Sequence, residues 1–89
     1  MSWRLDISKN AEKFLVKNNL ASDEVRTLVE KAIRHFKGED INVDIKKLKS
    51  PWGGFYRIRK GRIRIIAEFR FEDSVVFIEE IDWRGSVYN

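Results

Sequence analysis

Phe55-Tyr56-Arg57-Ile58-Arg59-Lys60-Gly61-Arg62-Ile63-Arg64-Ile65-Ile66-Ala67-Glu68-Phe69-Arg70 alternates polar and apolar residues on both sides of one glycine. A period of two marks strands with one buried face. Lys60-Gly61 joins the two runs, so the stretch reads as a β-hairpin. With Lys60 and Gly61 as the two turn residues, Arg59 faces Arg62, Ile58 faces Ile63, Arg57 faces Arg64 and Tyr56 faces Ile65. Directly opposed residues share a face. Tyr56, Ile58, Ile63 and Ile65 therefore point together into a core, while Arg57, Arg59, Arg62 and Arg64 point together away from it. A slip of one residue would set arginines opposite isoleucines and divide the core set. Lys-Gly is not the pair that a type I′ turn prefers, so a four-residue loop of the same parity stays open.

Outward from the hairpin, the flanks supply the other layer. Residues 3–7 alternate, with Trp3, Leu5 and Ile7 on one side, and read as a short strand. Ser8 or Asn10 caps a helix carrying Ala11, Phe14 and Leu15 on one stripe, ending near Asn18-Asn19. Ser22 caps a second helix, with Asp23 and Glu24 where the helix dipole favours acids. Val25, Leu28, Val29, Ala32, Ile33 and Phe36 form its apolar stripe, and Gly38 stops it. His35 falls beside that stripe and reads as an exposed helix residue. Residues 44–48 make a brief strand, and Ser50-Pro51-Trp52-Gly53-Gly54 a loop. Glu72-Asp73 turns the chain, residues 75–83 form the last strand, and 84–89 a short tail. The order is β-α-α-β-β-β-β: an α+β fold in one domain, residues 1–89, with an N-terminal strand, a helical hairpin and a twisted, mostly antiparallel sheet covered by helices on one face.

Composition narrows the chemistry. The 89 residues are 43% hydrophobic and include no Cys and one His. Disulfides, thiol nucleophiles and multi-His or Cys-based metal sites are thereby excluded within one chain. No apolar run approaches the roughly 20 residues of a membrane span, and charges break up the first twenty residues, so no secretory signal is read. A cytoplasmic, metal-free and cofactor-free domain is expected. Charge is uneven: residues 44–64 carry eight Lys or Arg against Asp44 alone, while residues 65–83 carry Arg70 against six acids. A concentrated basic segment attracts a polyanion, most often nucleic acid; the plain alternative is a solvated face that aids solubility. Like charges directly opposed on a sheet destabilise it, and an anion landing among four arginines would remove the penalty. Arginine offers a planar fork suited to phosphate. On this reading, alanine at Arg57, Arg59 or Arg64 leaves stability unchanged or slightly raised. The alternative is that the long side chains simply pack on one another. Glu68 shares the face of Arg64 and reads either as a base or as an ion-pair partner of Arg64 or Arg70. Trp52 and Trp83 read equally as base-stacking residues or as packing anchors, and Trp3 as core.

Lys46-Lys47-Leu48-Lys49, the hairpin Phe55-Tyr56-Arg57-Ile58-Arg59-Lys60-Gly61-Arg62-Ile63-Arg64-Ile65-Ile66 and the terminal Asp82-Trp83-Arg84-Gly85-Ser86-Val87-Tyr88 together resemble the RelE/ParE toxin superfamily. That family runs from a Lys-Leu segment through Tyr-Arg-x-Arg-x-Gly-x-Tyr-Arg to a closing His-Arg-x-x-x-Tyr, and its element order matches over nearly the whole chain. The resemblance implies a helical hairpin on a twisted sheet whose concave side is basic. It implies the toxin of a type II toxin–antitoxin pair, RelE-like, acting as a ribosome-dependent mRNA endonuclease with an antitoxin protein and ribosome-bound mRNA as partners. A ParE-like DNA gyrase inhibitor, or a degenerate member that only binds its antitoxin or nucleic acid, is the alternative. Arg57, Arg59 and Arg64 match the RNA-contacting sheet positions, and Arg84 and Tyr88 the terminal Arg and Tyr, which makes these five the catalytic candidates. Lys46, Lys47, Lys49 and Arg62 are candidates for RNA binding. Trp83 stands where many relatives carry His, and Ile63 where they carry Tyr. The residual set resembles the members that work with Lys, Arg and Tyr. Arginine stays protonated, so its part is charge stabilisation and alignment. Tyr88 can handle a proton or stack on a base.

Overall fold

Ser8 ends the first strand and starts the first helix: its Oγ accepts from the Ala11 N–H at 3.0 Å and donates to the Glu79 carbonyl at 2.7 Å. The cap thereby ties the helix start to a distant strand. In the computed structural model, which describes residues 3–49 and 53–83, the elements are β1 (Arg4–Ile7), α1 (Lys9–Lys17), α2 (Ser22–Phe36), β2 (Asp44–Lys47), β3 (Phe55–Lys60), β4 (Ile63–Arg70) and β5 (Val75–Trp83). Both helices end in Schellman closures. Asn19, at φ 54°, follows α1 and lets the Leu20 N–H reach the Leu15 carbonyl at 2.9 Å. Gly38, at φ 91°, follows α2 and lets the Glu39 N–H reach the Arg34 carbonyl at 3.1 Å. One cap differs from expectation. Ser22 is already helical, and Ala21 occupies the cap position with no side-chain bond. The start of α2 relies instead on Asp23 and Glu24 in its first turn.

The five strands lie in the order β1-β5-β4-β3-β2, with β1 parallel to β5 and every other pair antiparallel. Ala11 and Leu15 of α1 and Val25, Leu28, Val29, Ala32 and Ile33 of α2 bury themselves against Ile58, Ile65, Ala67, Phe69, Val76, Ile78 and Ile81. Ile58, Ile65 and Ile78 are fully buried, and each stabilises the fold by about 1.5–3 kcal/mol. Phe36 anchors one end of the layer, its ring 4.9 Å from Tyr56 and 5.1 Å from Phe69. Trp3 packs edge-on to Phe71 at 5.8 Å, as a core-facing first residue should.

The hairpin keeps the expected faces but not the expected partners. The loop is Gly61-Arg62, so Arg59 opposes Arg64, Ile58 opposes Ile65, Arg57 opposes Ile66, Tyr56 opposes Ala67 and Lys60 opposes Ile63. Gly61 sits at φ 58° in the first loop position, where a type II′ turn needs a glycine. A type I′ turn would have needed glycine second. The register therefore moves by two residues, which preserves every face. Arg59 does not face Arg62, and Arg57 does not face Arg64. The expected double arginine pair is a single one, Arg59 with Arg64.

Candidate nucleic-acid interface

The face of the sheet turned away from the helices is set by parity. It takes Asp44 and Lys46 from β2, Phe55, Arg57 and Arg59 from β3, and Arg64, Ile66, Glu68 and Arg70 from β4. From β5 it takes Phe77, Glu80 and Asp82. Arg57, Arg59 and Arg64 are thus brought together, with Lys46 directly across from Arg57. Arg64 is only 9% exposed, because β4 is the central strand and both its neighbours carry side chains over it.

Two carboxylates flank the arginines. Asp44 accepts from Arg59 Nε at 3.0 Å and from an Arg57 guanidinium nitrogen at 3.4 Å. Asp82 stands across from Arg64 on the other side. An expected cluster of bare cations is therefore a row in which Asp44 and Asp82 bracket Arg59 and Arg64. Arg57 Nε is buried without a hydrogen-bond partner, and an unsatisfied buried donor costs about 1–3 kcal/mol. An oxyanion is the group that satisfies such donors and relieves the Arg59–Arg64 opposition. Asp44 was legible as the lone acid of the basic segment. Its contact with two arginines was not, because it depends on how β2 aligns with β3.

The remaining candidates are spread out. Lys47 opposes Tyr56 and so belongs to the helix side of the sheet edge. Lys49 is exposed beyond the end of β2, and Arg62 is exposed in the turn. Neither joins the row. Arg84 and Tyr88, like Trp52, lie outside the described residues. Trp83 packs its ring 5.2 Å from Phe14, against α1. Glu68 pairs with Arg70 at 3.5 Å, the structural role among those expected. His35 is exposed, and among the rings of the described residues it touches the edge of Phe36.

Further along the same face the charge reverses. A groove of about 480 Å³ there is lined by Phe55, Phe77 and Val75 with the acids Asp6, Glu68, Asp73 and Glu79 against Arg4 and Arg70, so its balance is acidic. Among the described residues the face is thus most basic toward the Gly61 turn, a narrower patch than the basic concave side that the resemblance implied. Among the described residues no cluster of His, Cys, Asp and Glu could hold a metal ion, and no helix is long and apolar enough to cross a membrane.

No protein-family model matches the chain, and no curated protein matches it significantly. Solved structures do. The archaeal RelE–RelB complex from Pyrococcus horikoshii is similar at 28% identity, with a TM-score of 0.63, over 97% of this chain and 99% of that one. The toxin–antitoxin complex RelBE2 from Mycobacterium tuberculosis is similar at 24% identity and a TM-score of 0.60, over 94% of this chain and 100% of that one. YafQ from E. coli shares the fold at 12% identity and a TM-score of 0.60, over 99% of this chain and 100% of that one. An N-terminal strand, a helical hairpin and this mixed five-strand sheet, laid along the full length of these neighbours, give the chain the fold of the RelE-like toxins and make it similar to that superfamily.

Proposed function

We propose that the chain is the toxin of a type II toxin–antitoxin pair and that it inhibits translation by cutting mRNA on the ribosome. The observation that carries the reading is the gathering of Arg57, Arg59 and Arg64 on the exposed face of a RelE-like sheet. Two of the similar structures are toxin–antitoxin complexes, which supports an antitoxin partner for this chain. Metal-independent RNA cleavage starts with attack of a ribose 2′-OH on the adjacent phosphate. The 2′-OH gives up its proton, negative charge builds on the phosphorane oxygens, and the P–O5′ bond then breaks to leave a 2′,3′-cyclic phosphate and a 5′-oxygen that takes up a proton. Guanidinium groups held in place by a sheet stabilise that charge without reorganising. Asp44 holds Arg57 and Arg59 in position between substrates and yields them to the incoming phosphate. Arg84 adds a further cation, and Tyr88 supplies or takes the proton, since its hydroxyl is the group in the set able to do both.

The test uses a purified translation system with a defined message. Added protein should cut the message only when ribosomes are present. Arg57→Ala and Arg59→Ala should each reduce cutting by at least about 10²-fold, the usual cost of one lost stabiliser in a preorganised site. Cutting that survives both substitutions refutes the assignment. In cells, protein synthesis should fall before DNA synthesis; the opposite order would point to gyrase.

A further inference from the structure

The outward face of the sheet carries both signs of charge in a fixed order, and that order is its own complement. β4 is the middle strand, with β3 and β5 on either side of it. Three rows cross these strands in register. Arg57, Ile66 and Glu80 form one, Arg59, Arg64 and Asp82 the next, and Phe55, Glu68 and Phe77 the third. Two rows thus run from a cation on β3 to an acid on β5, and the third has a ring at each end. Phe55, Ile66 and Phe77 are half-buried on this face, which the helices leave uncovered. Glu80 is exposed and has no ion pair among the described residues. Arg57, across the same row, keeps a buried Nε without a hydrogen-bond partner.

Facing sheets stack about 10 Å apart with their strands aligned to within about 30°. A two-fold axis parallel to β4, midway between two such sheets, lays β3 of one copy over β5 of the other and keeps the rows in step. Arg57 then meets the second copy's Glu80, Arg59 meets its Asp82 and Phe55 meets its Phe77, and the symmetry makes each contact twice. Opposite charges and facing rings attract at these places. β4 lies over β4. There Arg64 is only 9% exposed and Glu68 leans to Arg70 at 3.5 Å, so neither like pair stands in the open. Five strands at about 4.8 Å and six residues at about 3.3 Å give a face of roughly 20 by 20 Å. Two copies would bury on the order of 800 Å² between them, the size of a transient contact.

We propose that this face is the contact of a weak symmetric dimer of the chain, in which the acids of each copy cover the arginines of the other. The inference goes beyond the function proposed above and rests on it in one consequence only: the dimer hides the arginine row, so the concentrated protein holds itself inactive. RNA is the less suitable occupant of the whole face, because Glu68, Glu80 and Asp82 repel phosphate; it competes for the arginines alone.

The test is sedimentation of the full chain across concentration and salt. Dimers should form at about 0.1–1 mM chain in low salt and weaken at least about tenfold at high salt, where charges are screened. Glu80→Arg alone and Arg57→Glu alone should each weaken self-association at least about tenfold, since each sets like charges together twice. An equimolar mixture of the two variants should form a mixed dimer about as tight as the unaltered one, because both crossings are again opposite in charge. Dilution of the isotope-labelled unaltered chain should move the amide NMR signals of Phe55, Ile66, Phe77 and Glu80, a readout that needs no variant to fold. The proposal is overturned by a chain that stays monomeric at about 1 mM in low salt, or by dilution shifts centred on the helices or β1. It is also overturned by folded variants that associate like the unaltered chain, or whose mixture stays monomeric. A short RNA in excess should drive the dimer apart. A dimer that meets the other expectations yet ignores RNA would leave this proposal standing and refute the phosphate-binding role given to the arginines above.

Discussion

Asp44→Asn should strengthen RNA binding, although it removes a residue from the site. The carboxylate contacts Arg59 at 3.0 Å and Arg57 at 3.4 Å, and its own side chain is 48% exposed. At such exposure each ion pair contributes about 0–1 kcal/mol, so together the two stabilise the fold by roughly 1 kcal/mol. A phosphate arriving at the same guanidiniums loses a comparable amount to competition and repulsion from Asp44, about 1 kcal/mol in a largely aqueous setting. Asparagine keeps the size and one acceptor but not the charge. The expected result is roughly fivefold tighter binding of a short RNA by fluorescence anisotropy at low salt. The thermal midpoint should fall by no more than about 6 °C, since 1 kcal/mol moves a domain of this size by about 4–8 °C. The gain should fade at high salt, where the Debye length shrinks to about 3 Å. Unchanged or weaker binding would show that Asp44 and phosphate do not compete, and the arginine row would lose its role as a phosphate site. A much larger drop in midpoint would make Asp44 a structural residue.

Ile65→Ala should destabilise the fold by about 2–5 kcal/mol in urea unfolding, because Ile65 is fully buried and the cavity is enclosed by both helices and sheet. Gly61→Ala should cost about 1 kcal/mol through backbone strain at φ 58° alone, because no atom lies within 4 Å of the added methyl; a cost near zero would mean the turn changes type. Arg64→Ala should cost about 1–3 kcal/mol by the same unfolding assay, since only 9% of Arg64 is exposed and it faces Asp82. The sequence alone suggested no loss there, and a stability gain would restore that view.

Patterns that depend on parity were legible in the sequence; patterns that depend on partners were not. The stripes of α1 and α2 and the two faces of β3 and β4 follow from spacing within one segment, and they form as expected. The hairpin register depended on whether Gly61 stands first or second in the loop, and a two-residue shift leaves the faces untouched. Its effect falls on function: it moves Arg62 into the turn and leaves one arginine pair. The parity of β2 separates Lys46 from Lys47, a distinction invisible when the three lysines are read as one basic run. Asp44 and Asp82 come beside the arginines only through β2–β3 and β4–β5 pairing. Segment charge sums place Asp82 in a separate acidic stretch. Trp83 has the same cause: its contact with Phe14 needs the docking of α1 on β5.

The division of the exposed face also sets how the substrate can be held. From Arg64 along β4 the next charged residue on that face is Glu68, roughly 13 Å away at a strand rise of about 3.3 Å per residue. That distance exceeds a Debye length of about 8 Å at physiological salt, so Arg64 is not cancelled from there. A strand of RNA running along β4 would nevertheless meet Glu68 and the acidic groove after a short stretch. Among the described residues the favourable region is therefore limited to Arg57, Arg59, Arg64 and Lys46. Three or four phosphate contacts to single-stranded RNA give a slope of log affinity against log salt between about −2 and −3. So shallow a slope means weak binding to free RNA, and a message must be presented by something larger to be held in place. The proposed dependence on the ribosome is in keeping with this limited footprint. The expected slope is read from anisotropy titrations of a short RNA between low and physiological salt. A slope steeper than about −5 would mean that many more cations engage the RNA. The sheet would then hold a message without the ribosome, and the argument for ribosome dependence would fall.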